Sequence, residues 1–254
     1  MGFGRFDVVV FGRNIAPMSQ PIFDAFSGSR AGSAGLVERR ARFIARTYNH
    51  LFGAILVFVG IEVALFSSGI AQSIARAMLG TSWLLVLGGF ILVSFIASHF
   101  ANGSQSRGAQ YAGLGAYVVA QAIIFVPLLF IANSVAPGAI QSAGIVTMLG
   151  FGGLSAVVFT TKKDFSFLRS IVMFGGILAL VAIAAGAIFG FQLGTFFSVA
   201  MVGLAGAAIL YDTSNVLHHF PEDRYVAAAL QLFASVALMF WYVLQLILNL
   251  SRRD

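Results

Sequence analysis

The 254-residue sequence contains no cysteine and few charged residues, and both absences exclude whole classes of protein. Without cysteine, the chain has neither a disulfide framework nor a thiolate metal site. Asp, Glu, Lys and Arg make up 9% of the residues, against about 25% in a typical soluble domain. Because 59% of the residues are hydrophobic and the mean hydropathy is +0.93, the composition predicts an all-α protein that crosses a membrane several times.

Sequence motifs of common membrane enzymes and pumps are also missing. The chain has no phosphate-binding GxxxxGK[ST] motif and no metalloprotease HExxH motif. Its apolar segments contain no lysine for a retinal Schiff base, and they lack the second aspartate of a two-aspartate intramembrane protease. We therefore expect no enzyme activity, no cofactor and no bound metal. The net charge of +6 does not indicate nucleic-acid binding, because the basic residues lie in tails and connections beside apolar segments.

Seven apolar windows are long enough to cross a bilayer, which takes about 20 residues. They lie near residues 48–68, 81–100, 109–132, 138–160, 167–190, 194–217 and 225–250. Between the first two, the pattern of Ile70–Met78 predicts an amphipathic turn on the membrane surface. Residues 1–36, rich in Gly, Ser, Arg and Ala, are interpreted as a flexible cytoplasmic arm, and residues 37–254 as the seven-helix transmembrane domain.

The distribution of basic residues predicts the orientation in the membrane. Twelve of the 15 Lys and Arg residues fall on the side of the N-terminus, and three fall on the other side. Short cytoplasmic connections carry the excess of Lys and Arg in multi-pass proteins. We therefore expect a cytoplasmic N-terminus and an external C-terminus in the plasma (inner) membrane.

Two acids lie within the predicted spans, Glu62 and Asp212. An ionised side chain at the bilayer centre costs about 2.5–3.5 kcal/mol on insertion scales, so such groups usually face a protein interior. Tyr211 and Asn215 form a polar cluster with Asp212, which favours a functional acid over one that only caps a helix. Glu62 fits a second functional intramembrane acid and a structural acid about equally well.

The last span carries a polar stripe. Polar or amphipathic residues recur there at helical spacing: Gln231, Ser235, Leu238, Tyr242, Gln245 and Asn249. Lipid does not solvate such side chains, so the stripe should face other helices in a central last helix, with Val236 and Leu246 more accessible to lipid. The third and sixth spans carry similar stripes, which could line one polar core with it. Plain hydrogen bonding between helices stays an open alternative.

Two connections contain groups that could bind or cap. His218 and His219 lie after the sixth span, but adjacent side chains point apart, so a solvated loop is a better interpretation than a metal site. Asp164 lies just before the fifth span, where it is expected to cap the helix.

Three stretches resemble one family of membrane proteins. They are TTKKDFSFLRS (Thr160–Ser170), ILYDTSNVLHH (Ile209–His219) and the AALQLFASVALMFWYVL that follows. Together they resemble the Bax inhibitor-1 family, its bacterial members above all, over residues 40–254. The resemblance implies seven helices around a central last helix and a pH-sensitive leak channel for calcium or another cation, bound weakly. A second bacterial branch, which binds and restrains a membrane-anchored AAA protease, gives the alternative function.

The resemblance also suggests roles for individual residues. Asp212 matches the family aspartate of the sixth helix, and Ser235 falls where calcium-leak members have a second aspartate. In those members a basic group after the second helix latches onto the sixth-helix aspartate, and here His99 and Arg107 are the available partners. The remaining candidates for the ion pathway or pH sensor are Tyr211, Asn215 and Gln231.

Overall fold

The computed structural model describes residues 20–103 and 106–251, and nearly all of them are helical. The described residues form eight helices: α1 (Gln20–Ser67), α2 (Ile70–Leu79), α3 (Trp83–Gly103), α4 (Arg107–Val135), α5 (Ala139–Thr161), α6 (Leu168–Phe189), α7 (Thr195–His218) and α8 (Tyr225–Ser251). Neither described range contains a β-strand, and the predicted all-α class is confirmed. Every helix except α2 contains a segment long and apolar enough to cross a membrane, which confirms the seven predicted spans.

The chain divides into two compact units after Ala41. In the first unit the described residues belong to α1, which begins at Gln20. The flexible arm predicted for residues 1–36 stays a prediction: residues 1–19 lie outside the described residues, and residues 20–36 belong to α1. The second unit, Arg42–Asp254, contains the membrane-spanning bundle.

The shortest helix, α2, is amphipathic. Its buried residues, Ala71 and Ala75, are four positions apart and pack against Val126 of α4. Arg76 lies on the exposed side. Gly69 precedes the helix with a φ of +78°, a conformation that suits glycine and lets the chain turn sharply after α1. The helix spans the segment in which the sequence predicted a surface turn.

The last helix, α8, is the centre of the second unit. Its spanning window is 72% buried, the largest share of any span in the described residues. It packs against α3, α4, α5 and α7, as predicted for a central last helix. The expected contrast between its two faces was wrong at Val236, which is 4% exposed against 7% for Ser235. Neighbouring helices surround nearly the whole circumference, so that face does not meet lipid.

Aromatic rings join α1, α4 and α8 at mid-height. Phe125 of α4 is fully buried, and its ring lies 5.2 Å from Phe58 of α1. On its other side it stacks on Phe240 at 5.6 Å and meets the edge of Trp241 at 4.9 Å. Edge-to-face and offset-stacked rings at these separations add to the stabilisation from burial alone. This cluster fixes the height of α8 relative to the helices that flank the candidate site.

Candidate functional site

Asp212 lies on the buried face of α7, six residues before the helix ends at His218. Ser198, Ala205 and Ile209 share this face at helical spacing, and each is 0% exposed. Asp212 itself is 4% exposed. Because α7 packs more extensively against α8 than against any other helix in the described chain, the carboxylate is directed at the central helix.

Two neutral side chains of α8 hold the carboxylate. The hydroxyl of Ser235 donates a short hydrogen bond of 2.5 Å to Oδ2 of Asp212. Gln231, one helical turn earlier, also hydrogen-bonds the carboxylate. No cation contacts Asp212 among the described residues. The structure thus brings three of the predicted pathway residues together, as one acid with two uncharged partners.

This arrangement limits the chemistry of the carboxylate. Calcium prefers six to eight oxygen ligands, with carboxylates supplying most of the affinity. One carboxylate, one hydroxyl and one amide can give only a weak cation site. The same groups can exchange a proton, since the hydroxyl and the amide can reorient around either form of the acid.

Tyr211 and Asn215, predicted to share a cluster with Asp212, are half-buried beside it on α7. Neither hydrogen-bonds the carboxylate within the described part of the chain. The neighbouring Thr213, which the sequence reasoning overlooked, is fully buried and lies 3.4 Å from the hydroxyl of Ser155 on α5. The hydroxyl of Tyr48 on α1 donates to the same serine at 3.5 Å. The segment around Asp212 is therefore tied to three helices.

Ser214 connects the candidate site to the α5–α6 connection. Its hydroxyl accepts a 2.9 Å bond from the backbone N–H of Phe165 and donates to Oδ1 of Asp164 at 3.4 Å. Asp164 also accepts a 2.8 Å bond from the backbone N–H of Ser166. The expected role of Asp164 as a helix cap was wrong. The cap position of α6 is Phe167, so Asp164 closes the turn before the helix.

His219 completes this cluster. Its Nε2 lies 2.9 Å from Oδ2 of Asp164, although both side chains are about half exposed. The backbone N–H of Ser166 and the ring of His219 both hold the pKa of Asp164 below its usual value. His219 is exposed and lies just after the end of α7, as predicted for a solvated loop residue, and it also fastens the α5–α6 connection to the end of α7.

The two basic residues predicted to latch Asp212 lie elsewhere. His99 is exposed on α3, with its ring 6.5 Å from that of Phe100. Arg107 is exposed at the first position of α4, close enough to Tyr111 for an electrostatic interaction. Neither contacts Asp212 in the described residues. The uncharged partners on α8 occupy the place that a basic latch would take.

Glu62, the other intramembrane acid, is also buried. It is 7% exposed on α1, and neither carboxylate oxygen finds a hydrogen-bond partner in the described ranges. It lies one turn from Phe58 and one turn from Phe66, both of which pack into the core. A charge is costly at an apolar position that offers no compensating bond. Glu62 and Asp212 do not contact each other, so they form two separate sites.

A cavity of about 480 Å³ lies beside α8, between α3, α4, α6 and the start of α7. Its walls include Ala234, Leu238 and Gln245, which lie on the same side of α8 as Gln231. Asp212 does not line the cavity. One face of α8 therefore runs from the cavity wall to Gln231, which holds the carboxylate.

Residues 40–253 match the model of the family described as inhibitor of apoptosis-promoting Bax1. The chain belongs to this family. The matched region contains α2 to α8 and the part of α1 that packs into the bundle, so it includes both intramembrane acids and the cavity.

Several bacterial proteins are similar to part of the chain. An uncharacterized protein of Pseudomonas aeruginosa is 38% identical over 110 residues, 42% of this chain and 48% of that protein. The modulator of FtsH protease YccA of Escherichia coli is 34% identical over 109 residues, 42% of this chain and 49% of YccA. An uncharacterized membrane protein of Vibrio cholerae is 30% identical over 116 residues, 45% of this chain and 51% of that protein. The chain spans about half the length of the curated relatives it matches.

Proposed function

We propose that this chain is a weak, pH-sensitive leak path for calcium or a similar cation, with Asp212 as its gate. The observation that carries the proposal is the continuity of one face of α8. Gln231 and Ser235 hold the carboxylate, and the same side of the helix lines the cavity at Ala234, Leu238 and Gln245. A cation that enters the cavity would meet Asp212 as the first charge along this face.

The bonds to Asp212 explain why the path would be gated. In this structure the carboxylate of Asp212 accepts hydrogen bonds from Ser235 and Gln231, and Asp212 is almost fully buried. A cation or a proton must displace these donors to reach it. A site with one carboxylate binds too weakly for a high-affinity carrier, whereas conduction requires binding that is weak enough to release the ion.

Calcium flux in liposomes tests the gate. Asp212→Asn removes the charge and nearly keeps the shape of the side chain, so the leak should change severalfold. Glu62→Gln is the matched control, because it makes the same change at a buried acid that contacts neither Asp212 nor the cavity. Equal flux in the wild type and both variants would reject the proposal. Asp164 is unsuitable as a control, since it bonds Ser214 beside the gate.

A second candidate function is modulation of a membrane-anchored protease. One relative, YccA of Escherichia coli, is named a modulator of FtsH protease, and this similarity favours the second candidate. In this chain residues 1–36 would make the contact with the protease. Deleting them should abolish co-purification with that protease and leave calcium flux unchanged. If the protein still co-purifies with the protease after the deletion, residues 1–36 do not make the contact.

The proposed function also requires a particular membrane and a particular orientation of the chain. A relative of Escherichia coli is named an inner membrane protein, and we propose the inner membrane with a cytoplasmic N-terminus for this chain. The excess of basic residues on that side supports the orientation. A reporter fused after Asp254 should give an external signal, and a cytoplasmic signal would contradict seven crossings.

A further inference from the structure

The cavity beside α8 has the size and the wall chemistry of a small-molecule site. Its volume of about 480 Å³ lies within the range of roughly 300–1,000 Å³ that is usual for ligand sites. Much of the wall is aromatic and comes from Phe90, Phe125, Phe197, Trp241 and Tyr242. Flat apolar walls with a few polar groups favour a ring-shaped ligand.

The charge of the wall restricts the ligand further. Asp, Glu, Lys, Arg and His are absent from the residues that line the cavity in the described chain. A ligand with a net charge would find no charged partner in this wall, so an ion could pass through the cavity but would not be held in it. The bound molecule should therefore be neutral.

Gln121 supplies the polar contact. It lines the cavity from α4 and is 7% exposed, so it is more than nine-tenths buried. Its Oε1 finds no hydrogen-bond partner among the described residues. A buried acceptor without a partner is unfavourable, and a ligand that brings a donor would relieve it. The oxygen itself has almost no accessible surface in this structure, so the amide would have to turn to present it to a hydroxyl or a similar donor in the cavity.

The position of the cavity indicates the route of entry. Its outer walls come from α3 and α6, which touch only lightly and expose most of their residues. A molecule dissolved in the bilayer could enter between them without crossing a polar surface. Ala187 of α6 lies on this wall and is exposed.

We propose that the cavity binds an uncharged, ring-containing molecule from the bilayer, of the alkylphenol or quinol class, whose hydroxyl donates a hydrogen bond to Gln121. The proposal needs only the cavity and its wall, and it stands independently of cation leak. Because the cavity adjoins the α8 face that leads to Asp212, an occupant would also obstruct that path.

Photolabelling tests the site directly. The full chain in lipid nanodiscs is labelled with an alkylphenol that carries a diazirine, and the labelled residues are mapped by mass spectrometry. Labels should concentrate on the residues that line the cavity. The unlabelled alkylphenol should prevent this labelling at a concentration about fivefold lower, or less, than its methyl ether requires. The ether has nearly the same shape but donates no hydrogen bond.

Two glutamine variants test the hydrogen bond, and an alanine variant tests entry to the cavity. Gln121→Leu should abolish the difference between the phenol and the ether, since it removes the acceptor. Gln110→Leu should retain the difference, because Gln110 is a buried glutamine of the same helix that has its own partner and lies outside the cavity. Ala187→Phe narrows the entrance and should reduce labelling severalfold with Gln121 intact.

Three results would overturn the proposal. The first is equal competition by the phenol and the ether in the wild type. The second is an unchanged preference for the phenol in a folded Gln121→Leu variant. The third is labelling spread evenly over lipid-facing residues, which would mean that lipid tails alone fill the cavity. If Gln121→Leu does not fold, unchanged cavity labelling in Ala187→Phe overturns the proposal.

Discussion

The two buried acids of this bundle have nearly equal exposure and opposite surroundings. Asp212 is 4% exposed and is held by Ser235 and Gln231. Glu62 is 7% exposed and has no partner for either oxygen in the described chain. Burial alone therefore does not distinguish a candidate site from an isolated acid. The distinction comes from the donors that neighbouring helices supply and from the polar face that leads to them.

The two acids should differ most in the free energy of unfolding that is lost when each is replaced by leucine. Asp212→Leu leaves buried Ser235 and half-buried Gln231 without their acceptor, so the free energy of unfolding should fall by about 2–4 kcal/mol. Glu62→Leu removes an unpartnered group from an apolar site, and it should change the free energy of unfolding by less than about 1 kcal/mol. Unfolding by denaturant in mixed micelles measures both. Equal losses would show that the two acids are held alike.

A smaller difference in the free energy of unfolding should appear between the alanine variants of two serines. Ser235 donates to Asp212, and Ser235→Ala should cost about 1–3 kcal/mol through loss of a bond to a buried acid. Ser94 of α3 has a buried hydroxyl with no partner among the described residues. Ser94→Ala should be close to neutral in the same unfolding assay. A loss at Ser94 as large as that at Ser235 would contradict the assignment of the bond.

The smallest effect should come from the exposed pair of Asp164 and His219. The pKa of Asp164 is lowered in the folded protein, so its charged form is favoured there. The stabilisation is present above the ordinary aspartate pKa, about 3.9, and is lost as the pH falls through the lowered folded value. The melting temperature of Asp164→Asn should therefore lie slightly below that of the wild type near neutral pH and converge with it in acid. Asp223→Asn, in the exposed α7–α8 connection, is the control and should leave the melting temperature close to that of the wild type.

Local signals in the sequence predicted most of the fold. Hydropathy located the seven spans, and helical periodicity predicted the central position of α8 and the burial of Asp212. These patterns depend on residues within a few turns of one another. The contact between Asp212 and Ser235 was suggested only by the family resemblance, which places Ser235 where other members have a second aspartate.

Contacts between distant segments could not be predicted in this way. Asp164 and Ser214 are separated by 50 residues, and nothing in either motif indicates that they meet. Gly113 is another example. A side chain there would lie 2.6 Å from the carbonyl oxygen of Ala97, so only glycine allows α3 and α4 to approach so closely. The cavity depends in the same way on five helices, whose arrangement no single stretch specifies.

The pH profile of calcium leak tests the central claim most directly. Flux through liposomes is measured from about pH 5 to pH 8 for the wild type, Asp212→Asn and Glu62→Gln. A single gating acid should give a one-step profile, which Asp212→Asn abolishes and Glu62→Gln retains. A profile unchanged in Asp212→Asn, or one lost in Glu62→Gln, would contradict the role of Asp212 as the gate.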